Sequence, residues 1–344
     1  MFPAVVRFLS LVLLATQTGA ATPDATAEAA RGASFAREGK YDLAIEHYKA
    51  ALHLNPHLPG LQLNLGLAYF KSNHLPEAAA AFEEAVRADS ASFQARALLG
   101  MSYYGSGRYR DAAAQLQLAS EAQSDNLELH HTLAESYLWS EQYPEALRKF
   151  QFLLSKDPDS APVHILLGQA LDASNRTKEA TEEFEAAVKA ATVPPDAHFG
   201  LGYLYWKQQR YEDACREFEA ELASQPLHAQ ALTYLGDAEM HTERDQGAET
   251  HLRRALSLDA NARLAHLDLG IVLAAKNDSD EAIRHFREAI RIDPSKPDVH
   301  YRLGRLWSSL GREHDAQEEF DKVQKLATEE PPPPLLRLSG RRLP

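Results

Sequence analysis

Cysteine is nearly absent from the 344 residues: Cys215 stands alone. One thiol cannot close an intramolecular disulfide or build a cysteine-rich zinc site. Positive charge is also scarce. Thirty-six Lys and Arg face 49 Asp and Glu, for a formal net charge of −13. Sequence-independent binding to a phosphate backbone needs a basic surface, so no nucleic-acid partner is expected. Long apolar runs are missing. The longest, Phe8 to Ala15, is far shorter than the ~20 residues a helix needs to cross a bilayer, so the chain is not expected to span a membrane. Nor is there a P-loop glycine pattern, an H-E-x-x-H, a G-x-S-x-G or a Rossmann glycine fingerprint. No cofactor, bound metal or catalytic residue is therefore expected.

The apolar run is informative in its setting. It follows Arg7 and leads into Thr16, Thr18, Gly19, Ala20 and Ala21. That order, a charge, an apolar stretch and then small residues, predicts a signal peptide over residues 1–20 with cleavage after Ala20 or Ala21. The mature chain is then exported, either periplasmic or secreted.

Beyond a short lead at 21–24, the sequence repeats itself. Gly32, Gly66, Gly100, Gly168, Gly202, Gly236, Gly270 and Gly304 are spaced by 34 residues or a multiple of 34, and Ala134 fills the one empty slot. With this residue at position 8, the repeats run 25–58, 59–92, 93–126, 127–160, 161–194, 195–228, 229–262, 263–296 and 297–330. Position 20 is alanine in every repeat, from Ala44 to Ala316. Position 24 is always large and apolar, from Tyr48 to Phe320, and position 11 is mostly aromatic, as in Tyr69, Tyr103, Tyr137 and Tyr205. Positions 4, 7, 8 and 11 share one helical face and 20, 24 and 27 share another, so each repeat reads as two amphipathic helices. Helix A is expected over about positions 2–14 and helix B over about 18–31. Gly39, Asn73, Gly107, Asn175, Asn277 and Gly311 at position 15 suit the left-handed conformation after a helix end.

A 34-residue unit with Leu-Gly at 7 and 8, an aromatic at 11, Ala at 20 and 27 and Phe at 24 resembles the tetratricopeptide repeat, TPR. Gln62, Leu65-Gly66, Tyr69, Ala78, Phe82 and Ala85 carry the pattern in one repeat. The resemblance implies an all-α, right-handed superhelical solenoid of antiparallel helix pairs. It also implies a concave groove lined by helix A and a role in holding other proteins. Groove residues would stand at positions 2, 5, 9, 12 and 13. Position 5 has no Lys and position 9 no Asn, so capture of acidic C-termini is not implied. Aromatic and apolar residues stand there instead, and Phe70, Met101, Tyr104, His131, Leu138, Trp139, Phe199, Tyr203, Trp206, Met240 and His241 are expected to form a partner-binding groove. The partner is a protein or extended peptide. An alternative is glycan binding through the same aromatics, in envelope assembly or polysaccharide export.

Several features depart from the pattern. His130, His164, His198, His266 and His300 all occupy position 4, one per helix pair and too far apart to share an ion. Each is expected to pack inside its own repeat. Glu221 and Glu239 occupy apolar positions 27 and 11 of adjoining repeats. They predict a soft joint with side chains turned toward water, or else a cryptic paired-carboxylate site of an auxiliary enzyme. Residues 331–344 begin with four prolines and carry Arg337, Arg341 and Arg342 without an acid, predicting a disordered basic tail.

Overall fold

The computed structural model describes residues 23–327, which form eighteen α-helices and their connections, with no strand among them. The expectations for residues 1–20 and 331–344 lie outside the described residues. The chain divides into two compact units at Pro158/Asp159. The N-terminal half holds α1 (Pro23–Arg37), α2 (Tyr41–Leu54), α3 (Leu61–Lys71), α4 (Leu75–Ala88), α5 (Phe93–Gly105), α6 (Tyr109–Ala122), α7 (Leu127–Trp139) and α8 (Tyr143–Lys156). The C-terminal half holds α9 (Ala161–Ala173), α10 (Thr177–Val188), α11 (Ala197–Lys207), α12 (Tyr211–Ser224), α13 (Ala229–His241), α14 (Asp245–Leu258), α15 (Arg263–Ala275), α16 (Ser279–Ile292), α17 (Pro297–Ser309) and α18 (Glu313–Ala327). Odd-numbered helices are A and even-numbered helices are B. Most B helices start and stop one residue earlier than the sequence spacing predicts.

The A–B turn is fixed by backbone chemistry. Position 15 has positive φ in all nine repeats, including Glu141 (64°), Gln209 (61°) and Glu243 (59°), which are poor residues for that conformation. Immediately after it, the N–H of position 16 donates to the carbonyl of position 11, as from His74 to Tyr69 at 2.9 Å and Arg244 to Glu239 at 2.9 Å. This six-to-one closure satisfies carbonyls that the helix end leaves free.

Inside a repeat, the glycine at position 8 lets a large side chain lie against the backbone of helix A. A Cβ on Gly66 would stand 2.6 Å from Phe82 Cε1. Phe82, Phe150 and Phe218 at position 24 are fully buried, as are the position-20 alanines beside them. Each buried phenyl contributes about 1.5–3 kcal/mol. Between repeats, the position-11 ring reaches back to position 25 of the preceding one. Tyr103 Oη donates to Glu83 at 2.6 Å, Tyr137 to Gln117 at 3.2 Å and Tyr205 to Glu185 at 2.8 Å.

The position-4 histidines do pack inside their own repeats, and most pair with position 23. His164 Nδ1 lies 2.6 Å from Glu183, His198 Nδ1 2.7 Å from Glu217 and His300 Nδ1 2.5 Å from Glu319. In the first repeat the partners are exchanged, with Glu28 at 4 and His47 at 23, 2.5 Å apart. His266 meets a second imidazole, His285, at 2.9 Å. Burial, and after it the Lys149 charge, holds the His130 imidazole below its ordinary range.

Candidate functional site

Within each half, the A helices approach one another along one side. That brings position 12 of one repeat to position 9 of the next. In the N-terminal half, Tyr104 Oη on α5 donates to Glu135 Oε2 on α7 at 3.1 Å. His131 Nδ1, one turn earlier on α7, lies 3.4 Å from the same oxygen. The hydrogen bond to Glu135 raises the His131 imidazole above its ordinary value despite the opposing effect of burial. Burial, then the Glu135 charge, pushes the Tyr104 phenol far above its usual range. Phe70, Met101, Tyr104, His131 and Trp139 are all half-buried, each with part of its surface open.

Of these residues Met101 also lines a pocket of about 800 Å³ between α5 and the α6–α7 connection. Gln94, Gln123, Ser124 and Asn126 line it together with Ala97, Leu98 and Met101, and so do Phe93 and Leu127. Those two side chains are each 41% exposed. Asp125 and Glu128 also line it, both exposed. Sequence reasoning found Met101 but missed Phe93 and Leu127. The signal was available, because position 1 is Ala, Pro or Arg in every other repeat and a large apolar residue only in these two.

The C-terminal half repeats the geometry with a different outcome. Trp206 Nε1 on α11 donates to Asp237 Oδ1 on α13 at 2.5 Å, again from position 12 to position 9. Here the rings cover one another. Tyr203 stacks on Trp206 with centroids 5.8 Å apart, and Tyr234 meets Trp206 edge-on at 5.1 Å. Phe199 packs against His228, Phe218 and Tyr234. His241 is exposed and stacks on Tyr211 at 4.1 Å, and Met240 packs on the core. Phe199 and Tyr203 are buried, as is Leu138 in the other half. The expectation that these three face a ligand is corrected: neighbouring A helices pack closely enough to enclose them.

The two irregular glutamates are also corrected. Glu221 and Glu239 are 1% and 5% exposed. Neither turns to water, and no contact joins them. Glu221 accepts the N–H groups of Asp196 (3.3 Å) and Phe199 (3.0 Å), so it caps α11 at the end where helix N–H groups favour an anion. Glu239 takes His251 Nδ1 at 2.8 Å, and Gly247 makes room for it, since a Cβ there would stand 2.6 Å from Oε1. The soft-joint reasoning loses its basis, because both carboxylates are hydrogen-bonded. Cys215 is fully buried, and desolvation pushes its thiol up to about 11, which suits packing rather than nucleophilic chemistry.

Two sets of side chains among the described residues have metal-like proximity: His314, Asp315 and Glu318 on the surface of α18, and a more buried set in the α11–α13 region. Ligand atoms of Asp196, Glu221 and His228 lie within 4.8 Å of one another. However, His228 Nδ1 accepts the Ala231 N–H at 3.1 Å, which caps α13. A neutral imidazole has one lone pair, so Nε2 carries the proton and faces Asp196 Oδ1 at 3.4 Å. The cluster is satisfied internally. No helix among the described residues is long and apolar enough to cross a membrane.

Comparison with known proteins agrees with this geometry. Family profiles described as tetratricopeptide repeat match residues 63–126 and 199–263, and another of the same description matches 138–201. A profile described as TPR repeat matches 32–73 and 272–311. No curated protein gives a significant match. Among solved structures, the C-terminal part of a TPR repeat-containing protein from Cytophaga hutchinsonii aligns with a TM-score of 0.56 at 15% identity, over 68% of this chain and 96% of that one. PilF of Pseudomonas aeruginosa aligns with a TM-score of 0.52 at 17% identity, over 61% of this chain and 95% of that one. The Cut9–Hcn1 assembly of the APC/C gives 0.52 at 15% identity, over 92% and 76%. At these identities the likeness is one of fold. Nine A–B helix pairs in one register, the glycine-to-phenylalanine contact and the profile matches lead to one conclusion: the chain belongs to the tetratricopeptide-repeat family.

Proposed function

We propose that this protein is a non-catalytic interaction scaffold that holds an extended peptide or partner protein on the A-helix face of its N-terminal half. Family membership supports a protein-interaction role. The observation that carries the location is the open pocket between α5 and the α6–α7 connection, lined by Met101 with the exposed Phe93 and Leu127. Partly exposed aromatics next to an apolar concavity are the usual anchoring material of protein interfaces. The carboxylates that would serve an enzymatic reading are each committed to structural hydrogen bonds. Binding to a library of extended peptides, read by fluorescence anisotropy, tests the proposal. Selection of peptides whose binding falls with Trp139→Ala supports it. Selection of oligosaccharides alone overturns it in favour of glycan recognition.

Export belongs to the same proposal and rests on the sequence of residues 1–20. N-terminal sequencing of the protein recovered from an exported fraction should begin at Ala21 or Thr22. An intact Met1 in that fraction would contradict cleavage.

A further inference from the structure

The C-terminal half carries a carboxyl group for which its own fold supplies no partner. Asp268 on α15 is 3% exposed, and its Oδ2 is enclosed without a hydrogen bond among the described residues. Asp268 is the only acid at position 6 of the repeats, so the helix pair does not require one there. An enclosed polar atom without a partner costs stability, and its presence points to a group supplied from outside. Arg263 is committed to Asp298 at 3.0 Å and Arg302 is exposed, and neither bonds Asp268 among the described residues. Burial, then the charge of Asp237, holds the Asp268 carboxyl well above the usual carboxylate range.

Its neighbours define a chemistry. Asp237 on α13 and the Tyr234 phenol are both close enough for the Asp268 charge to act on them. Asp237 Oδ1 accepts the Trp206 Nε1–H, and no hydrogen bond among the described residues reaches its Oδ2. Trp206 is half-buried with Tyr203 stacked on it, so part of the indole stays open. Neither aspartate belongs to a set of three ligands close enough to share a metal ion. Two carboxylates on different helices beside an indole suit a planar, extended cation instead. A guanidinium has donors along its edges and a face that stacks on a ring, whereas an ammonium is a compact point charge. We propose that Trp206, Asp237 and Asp268 form a binding site for an arginine side chain of a protein partner. The guanidinium stacks on the open indole, bonds the free oxygen of Asp237 and places a donor and a positive charge against Asp268. The site lies wholly in the C-terminal half and does not depend on the peptide-binding reading of the N-terminal half.

The three tryptophans give three indole N–H signals in a nitrogen-labelled NMR spectrum, and Trp206→Phe identifies the one bonded to Asp237. Titrating the full chain with N-acetyl-L-argininamide should shift that signal, with a Kd of about 1 mM or tighter. The citrulline analogue, similar in shape but uncharged, should not shift it, and the lysine analogue should bind about fivefold or more weakly. Asp268→Asn and Asp237→Asn keep the side-chain shape and should each weaken arginine binding about tenfold or more. Asp268→Asn should also raise the urea midpoint, because it removes an enclosed carboxyl that nothing in the fold offsets. If Asp268 instead serves as a structural counter-charge to Arg263 or Arg302, the variant lowers the midpoint and leaves binding unchanged, and the proposal is overturned. Absence of a shift at about 20 mM argininamide also overturns it, as does equal binding of the lysine or citrulline analogue. If argininamide fails here while extended peptides still bind and respond to Trp139→Ala, this site falls and the reading of the N-terminal half stands.

Discussion

The two halves build the same contact and use it differently. In each, an aromatic at position 12 donates to a carboxylate at position 9 of the next repeat: Tyr104 to Glu135 and Trp206 to Asp237. Around Trp206 the space is filled by Tyr234 at position 6 of the following repeat, with Tyr203 stacked on the other side. At the corresponding position 6, the repeat after Tyr104 has Thr132. Tyr104 and Trp206 are both half-buried, but the small residue puts no ring at that place, whereas Tyr234 also buries Phe199 and Tyr203. An aromatic at a groove position therefore does not report a ligand site by itself, because its exposure depends on a residue about thirty places further along the chain.

The sharpest way to break this comparison is to truncate the two tryptophans in parallel. Trp206→Ala should destabilise the C-terminal half by about 3 kcal/mol, near the low end for buried aromatic-to-alanine changes because the ring is only half-buried. Trp139→Ala should cost less than about 1 kcal/mol and instead weaken captured peptide by about 2 kcal/mol, nearly thirtyfold. Urea denaturation and anisotropy read the two effects. Equal destabilisation by both would mean that the halves do not differ.

A smaller effect tests the exchange of an aromatic for Glu239. Gly247→Ala places a methyl against the Glu239 carboxylate and should destabilise the C-terminal half by about 1–3 kcal/mol, as overpacking does. Gly247→Ala combined with Glu239→Ala should recover part of that loss. Additive losses in the double variant would show that glycine has another purpose there.

A further measurement sharpens the polar side of the N-terminal face. His131 has its imidazole raised from the ordinary 6.5 by the hydrogen bond to Glu135. Protonated imidazole therefore adds stability that is fully present below that ordinary value. The contribution is lost as pH rises through the higher value of the folded protein. The unfolding midpoint of the N-terminal half should fall across that window, and His131→Gln should flatten the fall. An unchanged pH profile in the variant would remove His131 from the account. The smallest effect concerns Glu243, whose φ is 59°. Glu243→Gly should stabilise by about 1 kcal/mol by relieving the left-handed strain, measured as a raised urea midpoint.

The helix pairs were legible because their determinants are local and recur in register: alanine at 20, a large apolar residue at 24, glycine at 8. The turn was only partly legible. Six of the position-15 residues are Gly or Asn, but Glu141, Gln209 and Glu243 adopt the same conformation because the flanking helices impose it. The site was less legible still. Phe199 and Tyr203 look like groove residues by position, yet Tyr234 on the next A helix covers them. Glu221 looks like a packing fault until Asp196 and Phe199 are seen donating to it. Such contacts join residues 22 to 35 apart on different repeats or helices, and no single-repeat template encodes them.

The pairing of positions 4 and 23 has a consequence for how such a chain lengthens. His164 and Glu183, His198 and Glu217, and His300 and Glu319 each meet across nineteen residues, and every pair closes within one repeat. Glu28 and His47 close the same way with the roles exchanged. Duplicating or deleting one of these repeats in whole would carry both partners together and strand neither inside the packed interior. The tyrosine bonds from position 11 to position 25 cross a junction, so a new neighbour must supply an acceptor. Genetic copying can thus spread the first kind of contact freely, while the second must be rebuilt at each new seam.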